Sequence, residues 1–346
     1  MLTIIHETVI QLIRLGIESS NDASIPKDID WALVLKLAIE QGVCGICLDG
    51  VEKLPSGTVP QTVLLQWIGQ TEIQRRQYQH AWKVACKLDK LWTNDGIQAT
   101  VLKGRSVAQY YPVPDHRYSC DLDVFVERDW EKACKLLEDK EIVLEREVYK
   151  EVEFTLDNVY VECHRYITPI RGNNHLKEFE RYLRSLLDGE PKECFEGTTL
   201  VCPPLMFTVM LYIEHALGDL LHGHLTLKHI VDWVVLRRQS VDWDAFQARC
   251  KSFKFDKFLP LIDALADVVE GKLEYQELQP SYQEVFDGIF KTPVAKSPRS
   301  WFGRRVELFF SILRNGKKYH QFGYTSMPSF LFNSVWAHFF DKEVRL

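Results

Sequence analysis

The chain has 346 residues, 46% of them hydrophobic and 26% charged, with 42 Lys and Arg against 48 Asp and Glu for a formal net charge of −6. That balance excludes disordered, collagen-like and coiled-coil classes, and at ~150 residues per domain the length suits roughly two domains. It also provides no global basic field, so stable duplex nucleic-acid binding is not expected and any bound anion has to be met by a local site.

The opening MLTIIHETVIQLIRLGIE carries two acids within a helical pattern and has no basic segment ahead of a small-residue cleavage site, so no signal peptide is read. The longest apolar stretch, Leu205 to Ile213, is about half the ~20 residues that cross a bilayer, and no transmembrane segment is expected. Nine cysteines, an odd number, are scattered along a chain too large to need staples, which fits a soluble protein in a reducing cytoplasm. Cys44-Gly-Ile-Cys47 is a lone C-x-x-C in a stretch that reads as helix and turn, so neither zinc nor redox use is assigned to it.

Residues 1–95 read as helices: Ile4 to Ile17, Asp30 to Gln41, and a long run from Gln61 to Asn94. In that run Leu64, Leu65, Ile68, Ile73, Trp82, Ala85, Leu88 and Leu91 form an expected buried stripe. The texture changes at Gly96. Gln98 to Leu102 is strand-like and ends at Lys103-Gly104 before a helical Ser106 to Tyr110. Asp121 to Val126 is a second strand and Asp129 to Glu138 a helix; Ile142 to Glu147, Val152 to Leu156 and Val159 to His164 are further strands, the last two joined by an Asp157-Asn158 hairpin turn. Helical periodicity returns over Leu176 to Leu187, Leu205 to Leu221, Leu225 to Arg238, Trp243 to Cys250 and Phe258 to Val269. The expected organisation is an N-terminal helical region 1–95, a mixed core 96–170, a helical domain 171–275 and a C-terminal helical extension 276–346.

The chemistry concentrates in Asp121-Leu-Asp-Val-Phe-Val126. Residues two apart on a strand face one side, so Asp121 and Asp123 point together while Leu122, Val124 and Val126 pack inward. Two carboxylates a few ångströms apart repel unless a cation sits between them. Mg²⁺ suits such a site because it takes one or two carboxylates and fills its octahedron with water and phosphate oxygens. A solvated strand end explains the same letters. In Val159-Tyr-Val-Glu-Cys-His164 the alternation puts Glu162 and His164 on one face, and if this strand lies beside the first, Glu162 completes a cluster able to hold two ions. His164 would then orient Glu162 or touch phosphate. Upstream, Gly104 lets backbone approach a ligand, Ser106 and the helix-start amides face phosphate oxygens, and Lys103 and Arg117 add positive charge.

The order of strand, glycine turn, helix and D-x-D strand resembles the nucleotidyltransferase superfamily of DNA polymerase beta. More closely, VLKGRSVAQYYPVPDHRYSCDLDVFV, the later VYVECHRY and HGHLTLKHIVDWVVLRRQSVDWDAF are similar to a poorly characterised bacterial nucleotidyltransferase family, over roughly Asp30 to Val269. The resemblance implies an α+β protein with a small polymerase-beta-like sheet module flanked by helical regions. It implies metal-dependent transfer of a nucleotidyl group from an NTP, ATP being the expected donor, to a hydroxyl acceptor (a saccharide, metabolite, protein or RNA end) with release of pyrophosphate. By carry-over, Asp121 and Asp123 bind both Mg²⁺ ions, for which Mn²⁺ can substitute, and Glu162 shares the one that activates the acceptor. Three departures stand out: Lys103-Gly104 replaces a Gly-Gly or Gly-Ser pair, Cys120 precedes D-x-D, and Lys228-His229 stands where Arg-Gln is expected.

Two other readings stay open: a catalytically silent nucleotide- or protein-binding relative, and a D-x-D sugar-nucleotide glycosyltransferase, whose usual parallel-strand opening this helical start lacks. His215, His222, His224 and His229 are read as interface histidines. The basic and aromatic run from Lys296 to His320 is read as a helix packing its rings inward and showing its bases to solvent.

Overall fold

A computed structural model describes residues 2–119, 121–126, 128–147, 149–170, 174–189, 192–291, 315–323 and 328. Cys120 and residues 296–314 of the basic and aromatic run lie outside them. The fold is α+β, with a five-stranded mixed sheet set among helices.

The chain opens with α1 (Ile4–Gly16), α2 (Trp31–Glu40), α3 (Cys44–Glu52) and the 33-residue α4 (Gln61–Thr93). Polar caps start the first two: Thr3 and His6 form a reciprocal capping box, and Asp30 Oδ1 accepts from the Ala32 and Leu33 amides. Sequence periodicity gave no α3, because its nine residues are buried nearly all round and show no polar stripe. Its glycine explains how it fits. A Cβ on Gly50 would stand 2.1 Å from Leu12 O, so α1 and α3 touch backbone to backbone. Cys47 reaches Val9 O of α1 across this contact, while Cys44 faces Thr71 and Trp67 of α4, and burial pushes its thiol up to about 11.

The expected stripe on α4 holds in part: Ala85 and Leu88 are buried and Leu64, Trp82 and Leu91 half-buried, but Leu65, Ile68 and Ile73 are 62%, 45% and 52% exposed. The inward face of the first half is Trp67, Thr71 and Gln74. Trp67 sets that phase, because its indole N–H donates to Cys44 O at 2.9 Å and draws the helix round.

Five strands follow: β1 (Ala99–Val101), β2 (Asp121–Val126), β3 (Leu144–Glu147), β4 (Glu151–Leu156) and β5 (Val159–His164), with α5 (Gly104–Ala108) after β1 and α6 (Trp130–Asp139) after β2. Their order is β1-β2-β5-β4-β3, with β2 and β5 parallel and the other pairs antiparallel. Asp157 and Asn158 turn β4 into β5 with φ of 49° and 63°, both positive as a two-residue primed turn requires. The remaining helices are α7 (Asn174–Leu187), α8 (Leu205–His222), α9 (Leu227–Arg237), α10 (Trp243–Ser252), α11 (Leu259–Glu270), α12 (Pro280–Ile289) and α13 (Gly316–Phe322). The last two lie within residues 276–346, where a helical extension is expected without bounds for its separate helices.

Alternation divides the sheet. Leu122, Val124, Val126, Val161 and Cys163 join Val84, Leu88 and Trp92 of α4 and Ala133 and Leu137 of α6 in one apolar cluster. A second cluster runs from α1–α3 through α7–α13, so the N-terminal helices and the later ones share a core. The opposite sheet face, with Asp121, Asp123 and Glu162, looks toward α8 and α9.

Near the C-terminal end of α11, Glu270 ties three helices together. It accepts from Arg237 and Arg238 at the end of α9, while Arg238 also donates to Ile17 O just past α1. Burial opposes its ionisation, but Lys272, Arg237 and Arg238 hold the carboxyl down to about 2 from 4.5. A depressed carboxyl stabilises the fold above its unfolded value and loses that contribution as pH falls through the folded one. The melting temperature of the wild type should therefore fall more steeply than that of Glu270→Gln between about pH 5 and pH 2. Parallel acid limbs would remove this role.

Candidate functional site

Strand register brings two of the three acids together, and the third, Asp121, lines the same cavity. Asp123 lies opposite Glu162 across the parallel β2–β5 pair, with Asp121 opposite Tyr160. On the far side β4 adds two acids that the sequence reading passed over, Glu153 opposite Glu162 and Glu151 opposite His164. The period-two rule that selected Glu162 also selects both: Glu153 lay within the expected strand and was not singled out, and Glu151 fell outside it because that strand began one residue late, at Val152.

Asp123 is the hub. Its Oδ1 accepts from Lys103 Nζ at 3.2 Å and from His164 Nε2 at 2.9 Å. His164 Nε2 is 3.6 Å from Glu162 Oε2, and its Nδ1 is 2.9 Å from Glu151 Oε2, aligned too obliquely for a good hydrogen bond. Lys150 Nζ supports Glu151 at 3.1 Å, and the Tyr160 hydroxyl donates to Glu153. Ligand atoms of Asp123, Glu162 and His164 all lie within 4.8 Å of one another. Because His164 Nε2 donates to an ionised carboxylate, this ring orients Asp123 and leaves cation binding to oxygen donors.

The electrostatics reveal a cluster short of positive charge. Burial works against Asp123, but Lys103 and His164 prevail and hold it well below the usual carboxylate range. Burial and then the Asp123 charge raise Glu162 to about 7, and the same two causes raise Asp121. Lys103 is pulled down by burial and more strongly up by Asp123, Glu162 and Asp121, so it remains charged. One ammonium does not neutralise this many acids.

The turn that carries Lys103 is strained. Lys103 has φ 43° and ψ −130°, a conformation that suits glycine, and Gly104 has φ 22°. Lys103 thus places a cation at a glycine-like backbone position. Ser106 is fully buried, and its Oγ donates to Val101 O at 2.6 Å, so its hydroxyl is committed inside the turn and does not line the cavity. Arg117 edges the cavity with its guanidinium engaged: Nε and Nη2 clamp Asp232 at 2.7 and 2.8 Å, and Nη1 donates to Gly104 O at 3.2 Å. Tyr111 adds a 2.6 Å bond to the same Asp232.

Lys103, Gly104, Asp121, Asp123 and Glu162 line one side of a cavity of about 220 Å³, and α8 and α9 close the other with Phe207, Leu211, Tyr212, His215, Lys228 and His229. Two of the four histidines read as interface residues therefore face the acids. Their signal was the four-residue spacing of His215 and Asp219, which places imidazole and carboxylate together on a helix. His222 and His224 lie elsewhere, with ring centroids 6.5 Å apart. Behind this wall Glu214, buried in α8, is raised to about 7 by burial against the pull of Lys150 and Lys103.

No helix among the described residues is long and apolar enough to cross a membrane. No curated protein and no solved structure matches the chain. The profile of a family described as uncharacterised nucleotidyltransferase matches residues 27–269, spanning α2 to α4, the glycine turn, all five strands and the helices of the cavity wall. Since that match takes in well over half of the sequence, the chain belongs to this uncharacterised nucleotidyltransferase family.

Proposed function

We propose that the protein transfers an NMP group from a nucleoside triphosphate, with ATP as the first candidate, to a hydroxyl acceptor and releases pyrophosphate. The observation that carries this reading is the register that sets Glu162 beside Asp123, in a cavity that Asp121 also lines, next to a strained lysine-glycine turn. The donor set fits Mg²⁺, being hard oxygen throughout, with Glu162 raised to about 7 by burial and then by the charge of Asp123. Asp121, Asp123 and Glu162 would hold the ions, which when bound supply charge neutralisation at the transferring phosphoryl group and activation of the attacking oxygen.

The remaining work falls to the chain itself. Lys103 and Lys228 face the cavity and bind the phosphate tail as point charges. His164 fixes the orientation of Asp123. Arg117 holds Gly104 O, and through it the turn, against Asp232 of α9. Catalysis is then largely positioning and electrostatic preorganisation. A compartment rich in triphosphates and reducing toward thiols, the cytoplasm, suits this activity and the scattered cysteines.

The test is thermal stabilisation by each NTP with Mg²⁺, followed by incubation with α-labelled NTP and lysate to find the labelled acceptor. Stabilisation by at least one Mg–NTP and a labelled product are expected. A protein that responds to none of them and labels nothing is not a nucleotidyltransferase.

A further inference from the structure

The cavity has two walls of different chemistry, carboxylates on the sheet side and imidazoles on the helical side. The two histidines converge on one buried acid. His229 Nε2 is 3.0 Å and His215 Nε2 3.4 Å from the same Asp219 Oδ2, with ring centroids 6.3 Å apart. Three such groups invite a metal ion. The cap of α9 argues against one. The Thr226 amide donates to His229 Nδ1 at 3.0 Å, so Nδ1 keeps its lone pair for the backbone and the ring proton sits on Nε2, aimed at Asp219. A ring accepting a backbone N–H at one nitrogen has no lone pair at the other for a cation unless it becomes an imidazolate.

His229 therefore serves as a donor that fixes Asp219. Burial opposes the ionisation of Asp219, but His215 and His229 outweigh it and hold the carboxyl low. His215 is the second recipient of that charge. With Nε2 turned to Asp219, its Nδ1 has no hydrogen-bond partner among the described residues, on a half-exposed ring in the cavity wall. The groups that bear on this ring are Asp219 and His229 behind it and Lys103 and Asp123 across the cavity. Desolvation lowers it below the usual imidazole range against the pull of Asp219, so the ring is neutral at physiological pH and its free lone pair is available.

We propose that His215 is the catalytic residue of the acceptor side, receiving the hydroxyl proton at Nδ1, with Asp219 and His229 as positioning residues. This rests on the nucleotidyl-transfer reading and extends it to the acceptor. As the acceptor oxygen bonds to the α-phosphorus, the bond from that phosphorus to the bridging oxygen breaks and pyrophosphate leaves with the electron pair. The proton passes from the acceptor oxygen to His215, and from there to water once the products depart.

The test uses the full chain with α-labelled ATP, Mg²⁺ and clarified lysate as acceptor source, counting every labelled product including free AMP. Relative to wild type, His215→Gln should lower kcat by about 100-fold or more while its KM for ATP and its stabilisation by Mg–ATP stay within about twofold. Added imidazole should restore part of the rate to His215→Gln and leave wild type unchanged, a rescue that a merely structural role would not give. His215→Asn serves as the second variant should the first not fold. A variant that keeps kcat within about threefold, or a loss that imidazole leaves untouched, overturns the role of His215 alone. A wild type that forms no labelled product overturns nucleotidyl transfer and this role together.

Discussion

Asp123→Asn should abolish nucleotidyl transfer, with kcat lowered by about 10²–10³-fold or more and the fold retained. The exchange keeps the shape of the side chain and removes its charge. No other acid of the cluster meets both Lys103 and His164, and the same residue lies in register with Glu162. The variant should also lose thermal stabilisation by Mg²⁺ with ATP, because the remaining carboxylates no longer share a common centre. Without metal it should unfold somewhat earlier than wild type, since buried Lys103 and His164 lose the carboxylate that holds them. Transfer within about tenfold of wild type would show that Asp123 is not at the reacting centre.

Arg117→Met should cost about 3–5 kcal/mol of stability, because it leaves Asp232 as a buried charge without its clamp. Both partners are almost wholly enclosed, at 5% and 2% side-chain exposure. The double variant Arg117→Met with Asp232→Leu should recover much of the loss, since two apolar side chains leave no orphan charge. Activity should not recover with it. Arg117 also donates to Gly104 O, and the strained Lys103-Gly104 turn loses that brace in either variant. Urea unfolding of the three proteins, with their transfer rates, separates the two effects. Equal destabilisation of single and double variants would show that the pair itself contributes little beyond packing.

Much of the sheet could be read from the sequence because period-two alternation is a local signal. The D-x-D strand and the strand of Glu162 both follow it, and their adjacency was the one long-range guess needed. Glu151 escaped only because the strand was started a residue late. Arg117 and Ser106 show a different limit. Their letters signal a cation and a hydroxyl near a glycine turn, and nothing local reveals that Asp232, more than a hundred residues on, claims the guanidinium, or that Val101 O claims the hydroxyl. The imidazole wall was illegible for the same reason: His215 and His229 belong to different helices and meet only through Asp219. The phase of α4 failed because a single tryptophan, bonded to the carbonyl of Cys44, outweighed three aliphatic residues.

Helix α4 has 33 residues, which at 1.5 Å each makes an unbroken rod of about 50 Å. Trp67 near its start belongs to the large helical core, and Val84, Leu88 and Trp92 near its end belong to the core beneath the sheet. The rod is thus a strut mortised into both halves of the molecule. A truncation that removes the first sixty residues would strip the socket from one end of it and lay Trp67 bare, so the sheet module is a poor candidate for excision as a minimal enzyme.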